Sequence, residues 1–151
     1  MTDILTIKNG RKVVNNGMNE EKVLLDEINL TIREGDFITV LGGNGAGKST
    51  LFNTIAGTLQ LSQGSISFKD QLITKDSEEK RARFLSRVFQ DPKMGTAPRM
   101  TVAENLLLAQ KRGQKRKFRL RNLKNQKEDF FRLCQEVGNG LEQHLDTPAG
   151  E

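Results

Sequence analysis

Phe37-Ile38-Thr39-Val40-Leu41-Gly42-Gly43-Asn44-Gly45-Ala46-Gly47-Lys48-Ser49-Thr50-Leu51 is the stretch on which the fold turns. Its first five residues are almost continuously apolar, the pattern of a strand buried on both faces. Residues 42–49 fit G-x-x-x-x-G-K-[ST] without a mismatch. From Lys48 the chain reads as a helix, with Leu51, Phe52, Ile55 and Leu59 at helical spacing and Gly57 near its end. A glycine-rich turn between a buried strand and a helix suits an anion carrying several charges. The glycines let successive main-chain N–H groups curl inward and permit close approach. A helix starting near Gly47 adds unpaired N–H groups and the positive end of its dipole. Lys48 is expected at the β- and γ-phosphates, Ser49 at a Mg²⁺ ion, and Thr50 at a neighbouring phosphate oxygen. The expected ligands are therefore ATP and Mg²⁺. The expected binding set is Gly42, Gly43, Asn44, Gly45, Ala46, Gly47, Lys48, Ser49 and Thr50.

Upstream of this stretch, Ile4 to Lys8 and Ile28 to Ile32 alternate apolar and polar residues, as half-buried strands do. The polar residues from Asn15 to Lys22 read as a loop, with Val23-Leu24-Leu25 returning as a short strand and Glu34-Gly35-Asp36 as a turn. Downstream, Ser65 to Lys69 is a strand candidate. Ser77 to Phe84 is a helix candidate capped by Ser77, with Glu78 and Glu79 in its first turn. Arg87 to Gln90 is a short strand candidate. Thr101-Val102-Ala103-Glu104 matches a capping box before Leu106-Leu107-Leu108. A last helix is expected over roughly Arg119 to Val137, stopped by Gly138-Asn139-Gly140.

The 151 residues suffice for one domain's core, and 35% hydrophobic with 28% charged residues is ordinary globular composition. No apolar run approaches the roughly 18 residues of a membrane span, and the N-terminus lacks a secretory pattern. The single cysteine, Cys134, sits among Phe130, Phe131, Leu133 and Val137 and reads as a core thiol, in keeping with a reducing compartment. The net charge of +5 concentrates between Lys111 and Lys127, a run without any acidic residue. A solvated helix face is the expected reading of that run, ahead of a nucleic-acid or anionic-membrane contact. The chain has no Tyr or Trp and its phenylalanines do not interleave with this run as a stacking platform would, so no nucleic-acid partner is expected.

Several stretches together resemble the nucleotide-binding subunit of ABC transporters. Leu24 to Asp36 resembles the family's antiparallel strand pair before the phosphate loop, and Asn44 to Leu51 its version of that loop. Gly57 with Gly64-Ser65-Ile66 resembles its helix end and next strand. Val88-Phe89-Gln90-Asp91-Pro92 is similar to its Q-loop, and Met100 to Leu106 to the entry of its helical subdomain. The resemblance runs along nearly the whole chain. It implies an α/β fold: a P-loop NTPase core with an N-terminal antiparallel β-subdomain and part of a helical subdomain, an incomplete domain. Residues 1–90 would be the β-subdomain and ATP-binding core, and 91–151 the Q-loop exit and partial helical subdomain. Gln90 would coordinate Mg²⁺ or the attacking water, and Asp91 to Met100 would face a transmembrane partner.

Two departures stand out. The aromatic residue that stacks on adenine in this family falls near Val14, and the chain has no Tyr or Trp. Weaker adenine recognition is expected, since a stacked aromatic contributes about 1–3 kcal/mol by analogy with base stacking. The apolar strand ending in Asp and a catalytic Glu, the Leu-Ser-Gly-Gly-type signature and the later His have no counterpart here, and His144 reads as a filler. The expectation is an N-terminal fragment of an ATPase that energises solute transport, itself inactive in hydrolysis. By resemblance it lies on the cytoplasmic face of the cell membrane, and its partners are a transmembrane permease subunit, a second ATP-binding subunit and a solute-binding protein of the same system. Residues Arg81 to Leu107 resemble members serving amino-acid or other small-solute uptake in bacteria. A soluble, non-transport ABC ATPase of translation or DNA repair is the alternative, favoured only by the basic run. A GTPase or small-molecule kinase ranks below both, because no Asn-Lys-x-Asp or Asp-x-x-Gly element is present.

Overall fold

The computed structural model describes residues 2–15, 20–112, 114 and 126–150, which fall into two compact units, Met1–Leu85 and Ser86–Glu151. The first unit is built on a four-stranded antiparallel sheet. Its strands are β1 (Asp3–Asn15), β2 (Glu21–Arg33), β3 (Gln63–Phe68) and β4 (Gln71–Leu72), in the order β2-β1-β3-β4. Alternation along β1 and β3 sends Leu5, Ile7 and Ile66 to one face. There they bury with Ile73 beneath Leu51 and Ile55 of helix α1 (Lys48–Ala56). The two short strand candidates in residues 23–32 are one continuous strand, β2, bent by irregularities in its register with β1. Asn29 bridges the bend: its Oδ1 accepts from the Asn9 N–H at 2.9 Å, and its Nδ2 donates to the Glu27 carbonyl at 3.0 Å. Both Asn9 and Glu27 take positive φ there, at 50° and 46°. Lys69 and Asp70, both with positive φ, close the two-residue β3–β4 hairpin in the primed-turn geometry such loops need.

The helix expected over Ser77–Phe84 is shorter, α2 (Glu78–Arg81), followed by turns. Two further expectations fail. Phe37–Leu41 forms no strand, with Phe37 95% and Leu41 86% exposed, and Arg87–Gln90 forms none either, with Val88 96% exposed. An apolar strand buried on both faces is held by ladders and layers contributed by other segments. The sheet described here pairs β1 with β2 and β3, and offers residues 37–41 no neighbour. Near residue 88 the local chemistry wins instead, with the Arg87 guanidinium 4.5 Å over the Phe89 ring.

The second unit centres on α3 (Val102–Gln110) and α4 (Lys127–Val137), which bury Ala103, Leu107, Phe130 and Cys134 together with Leu145. The capping box at Thr101 forms as its sequence implies: the Glu104 N–H donates to Thr101 Oγ1 at 3.2 Å, and the Thr101 N–H to Glu104 Oε2 at 3.1 Å. The returning chain completes this end of α3, with Val102 N–H donating to the Thr147 carbonyl and Ala103 N–H to the Leu145 carbonyl. Cys134 is a core residue, and burial, with Glu142 adding to it, pushes its thiol pKa up. The part of the last helix expected before Lys127, and most of the basic run, lie outside the described residues; Lys127 itself pairs with Asp146 at 2.7 Å.

Candidate functional site

The expected phosphate-binding set is continuous in the first unit, leading from residue 42 into the first turn of α1. Its shape follows from its glycines. Gly47 is the N-cap of α1 in the left-handed conformation, φ 85°, and a Cβ there would meet the Leu24 carbonyl oxygen at 2.6 Å. Only glycine combines that backbone with that approach to β2. Gly45, φ 83°, has open space around it. The Ala46 N–H donates to the Gly43 carbonyl at 3.3 Å and the Leu51 N–H to the Gly47 carbonyl at 2.8 Å, closing the loop onto the helix.

A glycine N-cap has no side chain to offer the first-turn amides, and α1 has no side-chain cap bond. The N–H groups of Lys48, Ser49 and Thr50 have no intrahelical acceptor by the geometry of any helix start. They therefore present donors and the positive end of the helix dipole to whatever enters the loop. The loop itself is exposed, as is Ser49, while Lys48 and Thr50 are half-buried. Lys48 Nζ turns back over the loop, donating to the Gly42 carbonyl at 2.5 Å and the Gly43 carbonyl at 2.7 Å. These bonds are exposed, so an entering phosphate can take over the ammonium at little desolvation cost. The residues fit a nucleotide's phosphates: the first-turn amides of α1 lack a side-chain cap, glycines leave room, and the one full charge is positive.

The structure brings Gly42 through Thr50 together. Gln90 belongs to the second unit, exposed in a bend, and Val14 is a half-buried residue of β1 paired with Lys22. Among the described residues no cluster of three or more His, Cys, Asp or Glu could hold a metal ion. Mg²⁺ sites shared with a nucleotide commonly take only one or two protein ligands, so Ser49 remains a suitable donor. Among the described residues no helix is long and apolar enough to cross a membrane. The sequence reading passed over Arg81, an exposed-looking residue in a charged run that is fully buried at the far end of α1.

A glycine loop entering an uncapped helix with Lys48 and Ser49 at its mouth defines a P-loop nucleotide-binding protein. The chain belongs to the ABC transporter family, whose model matches residues 25–147. It is 37% identical over 143 residues to the tyrosine transport ATP-binding protein of Clostridioides difficile, covering 95% of this chain and 57% of that protein. It is also 34% identical over 94 residues to the nickel import ATP-binding protein of Escherichia coli, covering 60% of this chain and 35% of that one. Among solved structures, a nucleotide-free ATP-binding cassette from an ABC transporter superposes with a TM-score of 0.73 at 27% identity, covering 99% of this chain and 59% of that one. The ADP conformation of another such cassette gives 0.71 at 28% identity, covering 100% and 59%. The expected P-loop class of fold is thus confirmed, in partial form: the match spans 57% of the Clostridioides difficile protein, 59% of each of the two cassettes and 35% of the Escherichia coli protein.

Proposed function

We propose that this chain binds MgATP as part of an ABC transporter ATP-binding subunit, whose complete form hydrolyses ATP to energise solute transport. The observation that carries the reading is the uncapped start of α1, with Gly47 pressed on β2 and Lys48 over the loop. When ATP is bound, its phosphates supply the negative charge and Mg²⁺ neutralises part of it. Gly45, Gly47, Lys48 and Ser49 would donate main-chain N–H groups, the Lys48 ammonium would meet the outer phosphates, and the Ser49 hydroxyl would ligate Mg²⁺. Gln90 is assigned the metal or water contact that the segment similar to a Q-loop implies. Residues 1–90 would then be the nucleotide core and 91–151 the start of the helical subdomain. The sequence after the loop holds no apolar run ending in Asp-Glu, so binding rather than turnover is the activity assigned to the chain itself.

The relatives named for tyrosine transport and nickel import support a role in uptake of a small solute. Partners in that role are a transmembrane permease subunit and a second ATP-binding subunit, met at the inner face of the cell membrane. Titration with a fluorescent ATP analogue and Mg²⁺, with unlabelled ATP and GTP as competitors, tests the reading. Saturable binding that ATP displaces and Lys48→Ala weakens is expected. Binding that is absent, or indifferent to Lys48, would end it.

A further inference from the structure

Helix α1 has two ends, and the one away from the loop carries a device that the nucleotide reading leaves unexplained. Arg81 is fully buried, and all five of its N–H donors end on main-chain carbonyls. Nη1 donates to Thr54 at 2.6 Å and Ile55 at 2.8 Å, Nη2 to Ile73 at 2.7 Å and Thr74 at 3.0 Å, and Nε to Asp76 at 3.1 Å. None of these acceptors is a carboxylate, and the Asp76 carboxylate is engaged by Lys80 at 3.4 Å. Burial lowers the Arg81 pKa, an effect that Asp76 partly opposes.

A buried guanidinium is a costly way to fill space, since an apolar side chain would pack there without desolvating a charge. What the guanidinium does is specific. Thr54 and Ile55 belong to the last turn of α1, where carbonyls have no intrahelical partner. Arg81 satisfies both and sets a positive charge at the negative end of the helix dipole. The same fork holds the carbonyls of Ile73, Thr74 and Asp76, so the end of α1 is tied to the turn that follows β4. Gly57, φ 88°, makes room: a Cβ there would lie 3.0 Å from Arg81 Nε and 3.1 Å from its Cδ. A second tie runs from Thr58 Oγ1 to Glu78 Oε2 at 3.0 Å. The helix is one short rigid body of about 13 Å, so what fixes one end aims the other.

We propose that Arg81 is a positioning residue for the phosphate loop: its fork locks the C-terminal carbonyls of α1 and so holds in place the amides and Lys48 at the opposite end. The inference rests on the nucleotide reading above, and its test separates the two. In the intact chain, binding of a fluorescent ATP analogue with Mg²⁺ is measured for the unaltered protein, Lys48→Ala, Arg81→Lys, Arg81→Met and Gly10→Ala, below the melting temperature of each. Gly10→Ala is the control for lost stability: its Cβ would press on Ile7 at 2.8 Å, disturbing the packing beneath α1 while leaving the Arg81 fork untouched. Arg81→Met is expected to weaken binding about tenfold or more, within the usual range for coupling between separated sites, with Arg81→Lys between it and the unaltered protein. Gly10→Ala is expected to lower the melting temperature while leaving affinity within about twofold, because the fork that aims α1 stays intact.

Folded Arg81→Met with unchanged affinity, or a Gly10→Ala loss as large as that of Arg81→Met, overturns the proposal. If Arg81→Met does not fold, hydrogen exchange on the unaltered protein decides. Saturating nucleotide is expected to slow exchange of the Thr74–Arg81 amides, and no change there overturns the proposal. If the unaltered protein shows no Lys48-dependent binding, the nucleotide reading itself falls and the positioning role with it.

Discussion

The first turns of α3 and α1 answer the same problem in opposite ways. Each helix start leaves main-chain N–H groups without intrahelical acceptors. At α3 the protein supplies every acceptor: Thr101 Oγ1 takes Glu104, the Thr147 and Leu145 carbonyls take Val102 and Ala103, and Glu104 reaches back to Thr101. At α1 a glycine without a side chain holds the cap position, and the amides of Lys48, Ser49 and Thr50 face an exposed loop. A closed start contributes to stability, whereas an open one forgoes that contribution and keeps its donors for a ligand. The contrast predicts that substitutions at α3 register in stability and substitutions at α1 in binding.

Gly47→Ala tests the contrast hardest, because the glycine serves both ends. Its Cβ cannot coexist with the Leu24 carbonyl at 2.6 Å, and the positive φ adds to the cost. A stability loss of about 2–3 kcal/mol, read by denaturant unfolding, is expected together with loss of nucleotide binding. If binding survives, the loop tolerates a displaced cap and the donors are not held by β2. Lys48→Ala separates the two properties. Binding should weaken about 10- to 100-fold, from the 1.5–3 kcal/mol of a hydrogen bond to a charged group, with the melting temperature unchanged. A large drop in melting temperature instead would make the lysine's bonds to Gly42 and Gly43 structural.

Thr101→Ala is the converse. Removing this cap should cost about 1 kcal/mol of stability and leave nucleotide affinity untouched. An affinity change would show that the two helix starts are not independent. Gly43→Ala should do least. No atom lies within 4 Å of the added Cβ and the backbone there does not require glycine, so stability should stay within about 0.5 kcal/mol. A marked loss of binding without loss of stability would place a phosphate against that position.

Residues whose partners are near in sequence were readable. The Thr101 capping box, the Gly57 helix end and the alternation in β1 and β2 each depend on neighbours a few residues away or on a hairpin, and they stand where the pattern puts them. Phe37–Leu41 was misread for the converse reason. Its apolar run is real, yet a run becomes a buried strand only when distant segments pair with it, and in the described structure none does. Arg81 was missed because nothing local distinguishes it from Lys80 or Arg83, which stay outside the core. The one signal was Gly57, whose missing side chain leaves room for the guanidinium, but from sequence alone it reads as a helix end.

The sequence by itself determined the glycine loop that leads into α1: glycine spacing, Lys48 and Ser49 act through local backbone geometry, and the polar cap on α3 is set by its own four residues. Only the tertiary structure decided how that loop is held, through Gly47 against the Leu24 carbonyl and Arg81 across five carbonyls from two separate segments. The division follows from range. Caps and turns are fixed by torsions and hydrogen bonds within a few residues, whereas the burial of a charge or the pairing of a strand depends on which remote backbone arrives beside it.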